Sequence, residues 1–135
     1  MNRNKRFENL NPSVLIAEDE CIIAMDVKFI LENVGYRICG IVSTGEDSIK
    51  KASDIQPDLV LMDIKLKGKV NGIYAGEKIY SDYNIPIVYI TAYSDKSLVG
   101  KLSKKKGNAY IIKPFEEEEL RQKIKKVLKH KRIHT

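Results

Sequence analysis

Five short apolar runs alternate with five stretches of helical periodicity, and very few folds accept that order. Val14-Leu15-Ile16-Ala17 is the first run and stops at Glu18-Asp19-Glu20. Apolar residues then recur at Ile23, Val27, Ile30 and Val34, spacings of four, three and four that predict a helix face, with Gly35 as its stop. Tyr36 to Val42 reads as a second strand, and a short helix from Glu46 to about Ser53 would bury Ile49 and Ala52. Leu59-Val60-Leu61-Met62, introduced by Pro57-Asp58 and ended by Asp63, is the purest strand signal. A Lys- and Gly-rich loop, Lys65 to Asn71, leads into a helix with Ile73, Gly76, Ile79, Tyr80 and Tyr83 on one side. Ile85 to Ile90 is a fourth strand, ended by Thr91-Ala92. A fourth helix is expected over about Asp95 to Lys106, with Leu98 and Leu102 inward. Ala109 to Ile112 is a fifth strand, ended by Lys113-Pro114-Phe115, and Glu116 opens a last helix with Leu120, Ile124, Val127 and Leu128 inward.

Near-continuous apolar strands alternating with amphipathic helices imply an α/β protein with a parallel sheet covered on both faces. Right-handed crossovers leave few topologies, and in such sheets the ligand site lies beyond the carboxyl ends of the strands. Here those ends carry Glu18-Asp19-Glu20, Asp63, Thr91 and Lys113. Carboxylates crowded together repel one another, and a divalent cation removes that cost. Carboxylate oxygens with a backbone carbonyl and water suit Mg²⁺, which also accepts a phosphate oxygen as ligand. A hydroxyl and an ammonium supply hydrogen bonds and positive charge to the other phosphoryl oxygens, and a carboxylate can form an aspartyl phosphate. The set reads as a phosphoryl-transfer site.

Four motifs in this order, Leu15-Ile16-Ala17-Glu18-Asp19-Glu20, Pro57-Asp58-Leu59-Val60-Leu61-Met62-Asp63-Ile64, Ile90-Thr91-Ala92 and Tyr110-Ile111-Ile112-Lys113-Pro114-Phe115, resemble the receiver domain of two-component response regulators. The likeness is to the single-domain, chemotaxis-regulator form. It implies a doubly wound (βα)5, flavodoxin-like fold with strand order 2-1-3-4-5 and helices on both faces. Residues 12–130 would be the receiver, with 1–11 a flexible N-terminal extension and 131–135 a basic C-terminal tail.

The resemblance also implies roles. Asp63 matches the phosphoacceptor that takes a phosphoryl group from the phosphohistidine of a sensor histidine kinase. Glu18 and Asp19 match the acidic pair, with Asp19 the direct Mg²⁺ ligand, and the backbone carbonyl of Lys65 matches a further ligand beside Asp63. Thr91 matches the switch hydroxyl, Tyr110 the switch aromatic, and Lys113 the lysine that pairs with the phosphoryl oxygens, followed by Pro114 at a bond commonly cis in the family. Phosphorylation would switch a protein–protein surface built by the fourth helix, fifth strand and fifth helix, and that surface would dock a downstream effector or a second copy. Such a domain takes part in its own phosphotransfer and dephosphorylation and has no separate substrate, so it is not an enzyme. The chain departs from the pattern in having Glu at 18, where Asp is commoner. The loop from Lys65 to Gly72 lacks the proline usual after the acceptor and is about one residue longer. Lys65 and Tyr93 occupy positions that tune dephosphorylation in the family.

Two other aspartyl-phosphate or phosphate-binding readings fit less well. A dehalogenase-type phosphatase places its nucleophile in an Asp-x-Asp pair on the first strand, where this chain has Glu18-Asp19-Glu20. A flavin- or nucleotide-binding module needs a phosphate-cradling loop after that strand, and acids there repel a phosphate without a metal.

Charge needs to be read by position. Of 135 residues, 24 are Lys or Arg and 18 Asp or Glu, a net of +6. Residues 1–12 carry a net +2 and 121–132 a net +7, so 13–120 is mildly acidic at −3. Without a helix-turn-helix, zinc finger or aromatic stacking platform, direct nucleic acid binding is not expected. No apolar run approaches a membrane span, the N-terminus has no signal-peptide core, and Cys21 and Cys39 read as reduced thiols, so a cytoplasmic protein is expected.

Overall fold

The computed structural model describes residues 11–95, Ser97 and 108–134, with the side chains of the last three of these left aside. The elements, in order, are β1 (Ser13–Ala17), α1 (Cys21–Asn33), β2 (Arg37–Val42), α2 (Gly45–Ile55), β3 (Leu59–Asp63), α3 (Gly72–Tyr83), β4 (Ile87–Ala92), a 3-10 turn (Tyr93–Asp95), β5 (Ala109–Lys113) and α4 (Glu117–His134). The N-terminal extension, save Asn11, lies outside the described residues. So does the helix expected over 95–106, save Asp95 and Ser97.

The five strands form one parallel sheet in the order β2-β1-β3-β4-β5, as the sequence resemblance implied. Side chains alternate across it. Val14 and Ile16 of β1, Leu59 and Leu61 of β3 and Val88 and Ile90 of β4 join a core with Ala24, Val27 and Leu31 of α1 and Leu120, Ile124 and Val127 of α4. Leu15 and Ala17, Val60 and Met62, and Ile87 and Tyr89 point the other way, into a second core with Ala52 of α2 and Ala75 and Ile79 of α3. Strands buried on both faces have to be apolar throughout, which is why β1 and β3 read as unbroken apolar runs.

The helix ends follow local chemistry. Thr44 Oγ1 accepts from the Asp47 N–H at 3.0 Å to cap α2, and Asn71 Oδ1 accepts from the Tyr74 N–H at 2.8 Å to cap α3. α1 ends at Gly35, whose φ of +104° lets the Tyr36 N–H turn back to the Leu31 carbonyl at 3.0 Å.

Two expectations change. The expected face of α1, Ile23-Val27-Ile30-Val34, is rotated: Ala24, Val27 and Leu31 are buried, Ile23 and Ile30 are half-buried, and Val34 is exposed. The helix is apolar nearly all round, so spacing alone does not choose the inward side, and Ile22, Met25 and Phe29 end up facing solvent. The last helix continues to His134, taking in four of the five residues that the sequence reading set aside as a basic tail.

Candidate functional site

The strand order reverses direction between β1 and β3, the point at which open sheets of this kind take their ligands, beyond the carboxyl ends of the strands. Glu18 follows β1 directly and is buried, its N–H held by the Val42 carbonyl at 2.9 Å. Its Oε2 accepts from the Glu20 N–H at 3.1 Å. Asp19 is half-buried and Glu20 exposed. Glu20 sits at the N-cap of α1 and makes no side-chain cap, while its carbonyl accepts from the Ala24 N–H at 3.0 Å. Carboxylate oxygens of Glu18, Asp19 and Glu20 lie within 4.8 Å of one another.

Asp63, the last residue of β3, is only 5% exposed. Its Oδ1 accepts from the Lys65 N–H at 2.9 Å and its Oδ2 from Lys113 Nζ at 2.8 Å. The same ammonium reaches Glu18 Oε1 at 3.4 Å. Lys113 ends β5, and its peptide bond to Pro114 is cis. Three strand ends therefore deliver two buried carboxylates and one ammonium to a single point.

These groups reset one another's protonation. Burial pushes the Glu18 carboxyl up to about 7, and the Asp63 charge adds to that, against the lowering effects of the Glu20 N–H and of Lys113. Burial works against the charged form of Lys113, but the hydrogen bond and charge of Asp63, joined by Glu18, more than offset it and leave its pKa raised. The ammonium is thus held charged beside carboxylates in need of a cation. Carboxylates from two strand ends, an adjoining third acid and no thiol or imidazole among them form a hard-oxygen donor set that fits a divalent cation such as Mg²⁺.

The remaining predicted residues surround this point to different degrees. Thr91 on β4 is buried, and its hydroxyl donates to the Ala92 carbonyl at 3.1 Å, a local bond at the end of its own strand. Lys65 opens the β3–α3 loop; its N–H is on Asp63, while its side chain leads away to Asp95, Nζ to Oδ2 at 3.5 Å. Tyr110 on β5 is half-buried against the α2–α3 core, with Lys123 Nζ 5.9 Å from its ring centre. Tyr93 is 66% exposed. The Glu18–Lys113 contact and Asp95 are site features that sequence reading missed. Spacing carries no trace of a pairing between residues 95 positions apart, and Asp95 fell inside a predicted helix.

Comparison with known proteins agrees with the geometry. The family model described as "Response regulator receiver domain" matches residues 14–125. The chain is 41% identical over 102 residues to the transcriptional regulatory protein PdtaR of Mycobacterium tuberculosis, a match over 76% of this chain and 49% of that one. It therefore spans about half the length of that relative. It is 31% identical over 117 residues to the chemotaxis protein CheY of Thermotoga maritima, covering 86% of this chain and 97% of that one. The receiver domain of PhyR from Erythrobacter litoralis, solved by NMR, superposes with a TM-score of 0.76 at 32% identity over 87% of this chain and 90% of the other. The signal receiver domain of a modulated diguanylate cyclase from Desulfovibrio desulfuricans superposes with a TM-score of 0.83 at 29% identity, covering 93% and 99%. Receiver domains are signalling domains, and among the described residues no helix is long and apolar enough to cross a membrane. With its sheet order, its cluster of acids at the strand ends and a family match over most of its length, the chain belongs to the response regulator receiver domain family.

Proposed function

We propose that this chain is a phosphorylation-controlled switch with Asp63 as the phosphoacceptor. The observation that carries the reading is the position of the Asp63 carboxylate: buried at the topological switch point, in contact with Lys113 at 2.8 Å and beside Glu18. An Asp63 oxygen attacks the phosphorus of a phosphohistidine on a sensor histidine kinase. The P–N bond breaks, and the imidazole leaves with the electron pair. Glu18, Asp19, Asp63 and the Lys65 backbone carbonyl hold Mg²⁺ in this reading. When bound, the ion neutralises charge on the phosphoryl oxygens and on the carboxylates around them.

Lys113 passes from Asp63 to a phosphoryl oxygen, gaining a charge-assisted partner in place of the carboxylate it now holds. Thr91 gives up the Ala92 carbonyl and turns its hydroxyl toward the phosphoryl group, and Tyr110 moves with it. The surface that responds comprises β5, α4 and the helix expected over 95–106, and it binds a downstream effector or a second copy of the chain. Lys65 and Tyr93 flank the acceptor and modulate how fast water removes the phosphoryl group. The chain performs no chemistry on a separate substrate. The unpaired thiols Cys21 and Cys39 support a reducing, cytoplasmic setting.

The test is incubation with Mg²⁺ and acetyl phosphate or beryllofluoride, with wild type beside Asp63→Asn. A hydroxylamine-labile phosphoryl adduct and a beryllofluoride-induced spectral change in wild type alone support the reading. Their absence from wild type overturns it.

A further inference from the structure

The loop from Lys65 to Asn71 starts beside Asp63 and contains no proline to stiffen it. Its hold comes from the start of α2. Glu46, in the first turn of α2, accepts from the Lys69 N–H at 3.3 Å through Oε2. Its own N–H and those of Lys69 and Val70 hold its carboxyl below the usual carboxylate range. Gly68 has a φ of +94°, and a Cβ there would lie 2.7 Å from Glu46 Oε1, so the absent side chain is what lets the carboxylate reach in. On the N-terminal side of Glu46 the same docking continues. A Cβ on Gly45 would meet the Val70 carbonyl at 2.3 Å, and Thr44 forms an isolated parallel bridge with Lys67. Three successive residues, Thr44, Gly45 and Glu46, therefore carry the middle of the loop, while its first residue donates its N–H to Asp63 Oδ1 at 2.9 Å.

We propose that Glu46 is a positioning residue for the site: its carboxylate clasps the loop at Lys69 and Gly68 and so fixes the Lys65 backbone in place for Asp63 and the metal. The proposal rests on the site reading above. A carboxylate that gathers successive backbone N–H groups acts on a loop as an N-cap acts on a helix, replacing water at those donors. The clasp acts at a distance from the ligands, as groups behind a metal's direct ligands do when they set ligand direction.

Glu46→Gln keeps the shape of the side chain and removes its charge, and Asp47→Asn removes a charge from the same turn without touching the loop. Amide hydrogen exchange at Lys69 and Val70 and the Mg²⁺ affinity from calorimetric titration are measured on both variants and on wild type. Glu46→Gln is expected to speed exchange at both amides and to weaken Mg²⁺ binding about tenfold. Asp47→Asn should leave both near wild type. A Glu46→Gln protein that binds Mg²⁺ as wild type does, whatever its exchange rates, overturns the proposal. Equal weakening by Asp47→Asn overturns it too, because the effect is then general electrostatics. A wild-type protein that binds no Mg²⁺ defeats the site reading itself. Gly68→Ala provides a second route to the same loop and should weaken Mg²⁺ binding in the same direction, with the fold intact by circular dichroism.

Discussion

Lys113 and Asp63 sit on strands separated by β4, yet their side chains meet at 2.8 Å, and Lys113 also reaches Glu18 at 3.4 Å. One ammonium thus serves two buried carboxylates. Lys113→Ala leaves those carboxylates facing each other. The expected loss is about 1–3 kcal/mol, less than for a fully buried pair because part of the lysine side chain stays in water. Asp63→Asn should cost less, since it removes a charge from a crowded site. Chemical denaturation of the two variants at pH 7 checks the order. The lysine variant should also lose its beryllofluoride response.

The raised pKa of Glu18 sets a pH dependence with a definite sign. The unfolded chain ionises this carboxyl near 4.5, while the folded protein holds the proton until about 7. Between those values the folded state binds more protons, so stability without metal falls as pH rises through that window. Glu18→Gln should flatten this part of the stability curve. Mg²⁺ displaces the proton, so its affinity should climb with pH to about 7 and then level off. Calorimetry in two buffers of different ionisation enthalpy would reveal the released proton.

Gly76 on α3 faces the buried ring of Tyr89. A Cβ at that position would lie 2.5 Å from the Tyr89 hydroxyl oxygen and 2.6 Å from its ring edge. Gly-to-Ala in a helix normally gains about 1 kcal/mol. Here overpacking should outweigh the gain and destabilise by about 1–2 kcal/mol net. A urea melt of Gly76→Ala decides the sign.

Asn71 closes the loop after Asp63 and caps α3 through the Tyr74 N–H. Asn71→Ala should cost about 1 kcal/mol, and Asn71→Gly only a few tenths. Thermal melts of both variants separate the cap from any effect of chain flexibility, which would rank them the other way.

What could be read from the residues follows from how each was constrained. β1 and β3 are buried on both sides, so their composition alone announces them, and the acids that end them stand out against apolar runs. α1 is apolar on several faces, and only the sheet beneath it determines that Ala24 and Leu31 turn inward while Met25 and Phe29 do not. Which acids and lysines come together depends on strand order and register, long-range properties that periodicity does not carry. Likeness to a family supplied that order. The grip of Glu46 on Lys69, 23 residues away, had no local signal either: a Glu in a first helical turn reads as a favourable charge near the helix dipole and nothing more.

The Thr91 hydroxyl bond to the Ala92 carbonyl gives the unphosphorylated protein a resting preference of modest size. A bond of this kind contributes about 1 kcal/mol net, a bias of roughly fivefold in an equilibrium. On that scale the turned rotamer proposed above would be a minority species in the unmodified chain, about one molecule in six. In that reading a phosphoryl group would enrich a conformer populated beforehand, and the size of the response would be limited by how rare that conformer was at rest.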